Sequence, residues 1–409
     1  RRGSNPDVSK TENLKTTADE LLDAALDQTD KIVVDLGATG ASRQQADQGY
    51  VTALMLHIDI LLRKNDQVSA RRWLNVLKEV RPGENVTVLT EASVQFAAGK
   101  HDAVIKLLMS LISEDEEQPR TAQMSSVAKL LEGMGARAGA MSKDESANVE
   151  VQAEAAAKYA EAAAGILESL AEQGPDHQLI LAGFYARQGR ADEALNLLEA
   201  HWEAGSVVAL ASGASQLMGG AGRSESSMSR LYAILATAYE QHPHEAAIRL
   251  LVADLSGWMG KYAEAERLYR EVLAESPNHV VAANNLAYLL ASQETQLDEA
   301  LELIDGVINS RGRAPELLDT RAYVLMQRSS ARRVAEDASR AIADLDAAIK
   351  ESRQPAYLYH RARAKLISGD SAAARTDWQE AIQANLSEET LHPAELDEFQ
   401  SAKTQLNSR

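Results

Sequence analysis

The chain contains no cysteine among its 409 residues. Disulfides, thiolate nucleophiles and cysteine-based zinc sites are therefore excluded. The compartment stays open, cytoplasmic or extracytoplasmic, because cysteine-free chains occur on both sides of a membrane. Aromatic residues are scarce at 4%, with 3 Phe and 4 Trp, so Ala and Leu carry the apolar content. That composition suits close helix–helix packing, where small side chains let backbones approach. No run reaches the ~18 consecutive apolar residues of a membrane-spanning helix; residues 32–34 and 54–62 are short and interrupted. Positive charge is in deficit, since 42 Lys and Arg against 60 Asp and Glu leave a net charge of −18. Such a surface repels phosphate backbones, which disfavours nucleic acid as a partner.

Catalytic signatures are missing as well. There is no G-x-x-x-x-G-K-[ST] phosphate loop, no G-x-S-x-G elbow and no H-E-x-x-H. His242-Pro-His244 has no third ligand at ordinary spacing, and His57 and Asp59, two apart on a helix, point in different directions. Glycine-rich 218–223 reads as a flexible connection, and the acidic run 114–117 as a solvated loop before Pro119. No enzyme activity, cofactor or metal is expected.

What the chain does have is a period. Residues 260–277 read G-K-Y-A-E-A-E-R-L-Y-R-E-V-L-A-E-S-P, with the small residue Ala265 four before Tyr269 and twelve before Pro277. Equivalent anchors fall at Ala70, Val104, Ala163, Ala194, Leu231, Ala300, Ala341 and Ala374, with successive gaps of 34, 59, 31, 37, 34, 35, 41 and 33 residues. A period near 34 signals an array of helix–turn–helix units. The organisation expected is a disordered start and helical cap over 1–49, then repeats over 50–205 with an insertion near 132–148. An irregular helix pair follows over 206–243, then repeats over 244–386 and a capping helix over 387–409. Gly133, Gly135 and Gly139 read as the start of the insertion, and the basic stretch 329–340 as extra residues between two helices. Val104 and Leu231, larger than Ala, predict local splaying.

The repeats resemble tetratricopeptide repeats. The second-helix pattern is carried by Ala265, Tyr269 and Pro277, by Ala374, Trp378 and Ala381, and by Ala70, Leu74 and Pro82; the first-helix pattern by Leu181-Ala182 with Tyr185 and Leu286-Ala287 with Leu290. Ser256 departs from it, standing where a bulky residue is usual. The resemblance covers roughly 50–385 and implies an all-α, right-handed α-solenoid in which first helices line a concave face that binds partners. Carried over by position, the candidates on that face are Asn284, Asn285 and Tyr288, then Asp319, Tyr323 and Gln327, then Tyr359, His360 and Arg363. The Lys/Asn constellation with which chaperone-binding members clamp a C-terminal carboxylate is not evident. Arg321 and Arg361 share one first-helix position while Asp344 and Asp377 share one second-helix position, so two structural pairs are expected, Arg321–Asp344 and Arg361–Asp377.

The functional expectation is a non-enzymatic scaffold or adaptor that binds a protein or peptide, alone or within an oligomer or larger assembly. The alanine-rich, cysteine-free, acidic style suggests a bacterial source. Because the chain begins with Arg1, it is expected to be processed or part of something longer. The alternative is thus a regulatory or targeting region of a larger, membrane-anchored or secretion-related protein, with the active domain upstream.

Overall fold

The computed structural model describes residues 20–21, 23–31, 48–112, 120–141, 149–220 and 224–407, and every regular element among them is helical. The expected disordered start, most of the N-terminal cap, the 114–117 run and the polar stretch 142–148 lie outside the described residues. The chain divides into two compact units, residues 1–177 and 178–409.

The first unit holds three helix pairs: Gln48–Arg63 with Gln67–Val80, Asn85–Ala97 with His101–Met109, and Arg120–Met141 with Val149–Ala171. The third pair departs from the sequence expectation. Gly133, Gly135 and Gly139 lie inside a continuous 22-residue helix and do not open an insertion. At Gly135 the role is proximity: a Cβ there would sit 3.1 Å from the Tyr159 Cβ and 3.4 Å from the Ala156 carbonyl oxygen, whereas one on Gly133 would meet nothing within 4 Å. Glycine in a helix lowers its intrinsic stability by about 1 kcal/mol, which close packing of two long helices offsets here. Buried polar groups in this unit find one another. Thr29 meets His57 at 2.8 Å and Tyr159 meets His101 at 3.1 Å, and burial lowers the pKa of both imidazoles.

The second unit is a stack of pairs. Pro175–Arg187, whose residues from 178 onward belong here, pairs with Ala191–His201, and Val207–Gly219 is followed by Glu225–Gln241. Then come Ala246–Trp258 with Tyr262–Glu275, Val280–Ser292 with Leu297–Arg311, Pro315–Arg332 with Ala335–Glu351, and Pro355–Ile367 with Ser371–Gln383. From Val207–Gly219 onward, each first helix also touches the first helix of the next pair, so these helices form one continuous face. Gly189, Gly260 and Gly369 occupy the same turn position between paired helices, all at positive φ (75°, 76° and 89°). Only glycine takes this conformation without a steric penalty.

All nine anchors, Val104 and Leu231 included, are fully excluded from solvent. Ser256 is equally buried, and its departure from the pattern has a cause: its hydroxyl donates to Glu264 (3.0 Å), which also accepts the Tyr232 hydroxyl (2.8 Å). The extra residues at 329–340 do not form a loop. They lengthen the paired helices to 18 and 17 residues, leaving a turn at Arg333-Val334. Bidentate bonds from Arg328 to the buried Asp337, both 2.7 Å, fix that extension.

The chain ends on the last pair. Two short 3-10 turns, Glu388–Thr390 and Pro393–Glu395, lead into the helix Leu396–Asn407. Phe399, Ala402 and Leu406 bury themselves with Trp378, Tyr359 and Leu358 in one cluster. The helix closes the apolar face that the final repeat would otherwise expose.

Candidate functional site

The first helices place tyrosines or histidine in register. Tyr288 stacks on Tyr323 with ring centroids 4.9 Å apart, and Tyr323 lies 5.8 Å from His360. This ladder crosses three successive helices. Around it stand the other sequence candidates, Asn284 and Asn285 on the first helix, Asp319 and Gln327 on the second, Tyr359 and Arg363 on the third.

The chain's own C-terminal segment covers the last two rungs of the face and reaches the first at Tyr288. Glu395 accepts the Tyr288 hydroxyl at 2.6 Å and faces His360 Nε2 at 2.8 Å, while Asp319 takes the other ring nitrogen at 2.7 Å. Glu398 accepts from the Gln327 amide and the Tyr323 hydroxyl, and pairs with Arg363 at 2.6 Å. Two carboxylates thus collect donors from three helices. Seven of the nine candidates are engaged with this segment or with one another through it, and Tyr323, Gln327, Tyr359, His360 and Arg363 are buried.

The electrostatics follow from that geometry. Burial alone would favour neutral imidazole at His360, but Asp319 and Glu395 outweigh it and hold the pKa up at about 10. His360 is therefore an imidazolium that donates from both nitrogens. Burial pushes Glu395 up, and the His360 charge, hydrogen bonds from His360 and Tyr288, and Arg363 bring it down to about 2. Burial also raises Tyr288 and Tyr323, with the nearby carboxylates adding to it, so both phenols stay protonated as donors.

One rung earlier the face is open. A cavity of about 300 Å³ lies beside Tyr288 and His392, bounded by Asp254, Trp258, Tyr269, Asn284 and Asn285 with Met218, Met228, Leu255 and Leu289. Asp254 accepts the Tyr269 hydroxyl and the Asn285 amide, the latter at 2.8 Å, both on Oδ1. Burial raises its pKa, and those two hydrogen bonds only partly pull it back. The Asn284 Oδ1 is buried without a hydrogen-bond partner.

The two arginine–aspartate sets are bidentate. Arg321 donates to Asp344 at 2.7 and 2.6 Å and to Asp305 at 2.8 Å; Arg361 donates to Asp377 at 2.8 and 2.7 Å and to Asp346 at 2.7 Å. They tie each pair of helices together and link it to the preceding second helix. Among the described residues, no group of three or more His, Cys, Asp or Glu is arranged to hold a metal, and no helix is long and apolar enough to cross a membrane.

Sequence reasoning passed over Asp254, Trp258, His392, Glu395 and Glu398. Asp254 carried a signal, a lone carboxylate inside the apolar run L-L-V-A-D-L. The tail acids carried none, because periodicity stops before them.

Comparison with known proteins agrees with the repeat pattern over part of the chain. The tetratricopeptide repeat family model matches residues 259–322. No curated protein matches the sequence. Among solved structures, a tetratricopeptide repeat protein from Parabacteroides merdae is 14% identical at a TM-score of 0.40, covering 78% of this chain and 96% of that one. A thermophilic tetratricopeptide repeat protein of Thermus thermophilus is 16% identical at 0.35, covering 47% and 95%. Yeast Tom70 is 14% identical at 0.34, covering 95% and 96%. Overlap at this level leaves the ligands of this chain to be read from its own residues.

Proposed function

We propose that the chain is a non-enzymatic interaction scaffold that binds a protein or peptide partner along the concave, first-helix face of its second unit. One observation carries this reading: that face already holds a polypeptide segment, residues 391–407, through matched side-chain charges and hydrogen bonds. A surface built this way distributes recognition over several helices and many polar groups, as repeat arrays do. It offers no pair of groups poised for proton transfer to a substrate, since His360 and Glu395 are committed to each other. The open stretch at Asp254, Asn284 and Asn285 is where a partner segment has room to enter.

The test is capture of partners from the source cell by wild type and by Trp258→Ala and Asn285→Ala variants. Loss of specific partners by these variants is expected. Retention of every partner by both would overturn the assignment to this face. Tyr323 and Arg363 are unsuitable for the experiment, because replacing them disturbs the docked C-terminal segment first.

A further inference from the structure

We infer that the cavity beside Tyr288 is a subsite for a basic side chain, lysine or arginine, of the partner polypeptide. This deepens the scaffold reading and rests on it. Three features of the cavity converge on a cation with an apolar stem.

The first is the arrangement of acceptors. Asp254 receives both of its hydrogen bonds on Oδ1, and its residue lines the cavity. Asn284 donates to the Asn285 side chain at 3.1 Å, leaving its own Oδ1 buried and unpaired in the same wall. A buried acceptor without a donor is destabilising, so a donor arriving here recovers a deficit already present. Neither Lys nor Arg occurs among the lining residues.

The second feature is the wall itself. Trp258 and Tyr288 present aromatic rings, against which an ammonium or guanidinium group is attracted electrostatically. Met218 and Met228 supply an adaptable apolar lining suited to a methylene chain. The third is the field of the whole chain. A net charge of −18 draws basic segments and repels acidic ones, raising encounter rates for the former. The same face a few residues on binds carboxylates through His360 and Arg363.

The experiment uses the full chain labelled with 15N at its tryptophans, whose four indole signals are assigned with Trp258→Phe. Butylammonium and methylguanidinium are titrated as probes, with butanol as the neutral control. A saturable shift of the Trp258 signal by both cations and not by butanol is expected. Asp254→Asn, which keeps an oxygen for the Tyr269 and Asn285 bonds, should weaken binding at least about tenfold. Asn284→Asp, which adds charge to the same wall, should strengthen it. An unmoved Trp258 signal, an equal shift by butanol, or unchanged affinity in both variants would overturn the inference.

A second arm separates it from the scaffold reading. A pentapeptide with a central lysine is compared with its norleucine counterpart and with butylammonium. Tighter binding of the lysine peptide than of either is expected. Equal binding of both peptides would overturn the cation subsite and leave the face as a peptide surface. Equal binding of lysine peptide and butylammonium would assign the cavity to small amines and count against the partner.

Discussion

Two neighbouring stretches of one face meet the same problem differently. Around Tyr323, His360 and Arg363, buried polar groups are matched by Glu395 and Glu398 from the chain's own end. Around Asp254 and Asn284, buried acceptors face an open cavity. The same carboxylate chemistry therefore has opposite energetics at the two sites. Glu395 is stabilised as an anion by fixed partners, whereas Asp254 is disfavoured as an anion by burial with too few. A filled groove is a structural element; an unfilled one has spare recognition capacity.

The comparison is broken most severely by removing what seats the tail. Phe399 is 2% exposed among Tyr359 and Trp378, and Phe399→Ala should cost about 3–5 kcal/mol in urea unfolding of the second unit. A loss under about 1 kcal/mol would mean that the last helix is not part of the core. Next comes one substitution made at both carboxylates. Glu395→Gln removes the partner of a buried imidazolium and should destabilise by about 3 kcal/mol. Asp254→Asn removes a charge that burial opposes and should fall within about 0.5 kcal/mol of wild type or stabilise. Equal effects of the two would erase the distinction.

The matched stretch also predicts a pH signature. His360 rises from 6.5 to about 10, so its contribution is full below pH 6.5 and fades as pH climbs through 10. Glu395 falls from 4.5 to about 2, so its contribution is full above pH 4.5 and is lost as pH drops through 2. The stability difference between wild type and His360→Gln should thus be greatest between pH 4.5 and 6.5 and shrink on either side. A difference that keeps growing from pH 7 to 9 would contradict the charged pair. A smaller loss than at Phe399 or Glu395 belongs to the paired arginines. Arg321→Lys keeps the charge but loses the two-pronged contact with Asp344, and should cost on the order of 1–2 kcal/mol by thermal or urea unfolding.

Much of the architecture was legible because it is periodic. Small anchors every 34 or so residues marked where paired helices approach, and each anchor is buried. Where the period broke, physical causes outside the pattern decided. Gly135 served close helix contact and not a turn, a distinction invisible until Tyr159 is known to lie opposite. The added residues near 329–340 went into longer helices because Arg328 and Asp337 could pair across them. The first-helix candidates were legible as a face, and Arg321 with Asp344 and Arg361 with Asp377 as matched positions. That the face would be met by Glu395 and Glu398 was not legible, since a contact 107 residues away in sequence, Tyr288 to Glu395, leaves no local trace.

A double-mutant cycle between His360→Gln and Glu395→Gln, read by urea unfolding, tests most directly whether the chain's end is bound on this face. The predicted coupling energy is at least about 1.5 kcal/mol, because the two groups stabilise each other's charged forms. Additivity within about 0.5 kcal/mol would show that the two groups do not interact, and that the C-terminal segment is not held there by charge.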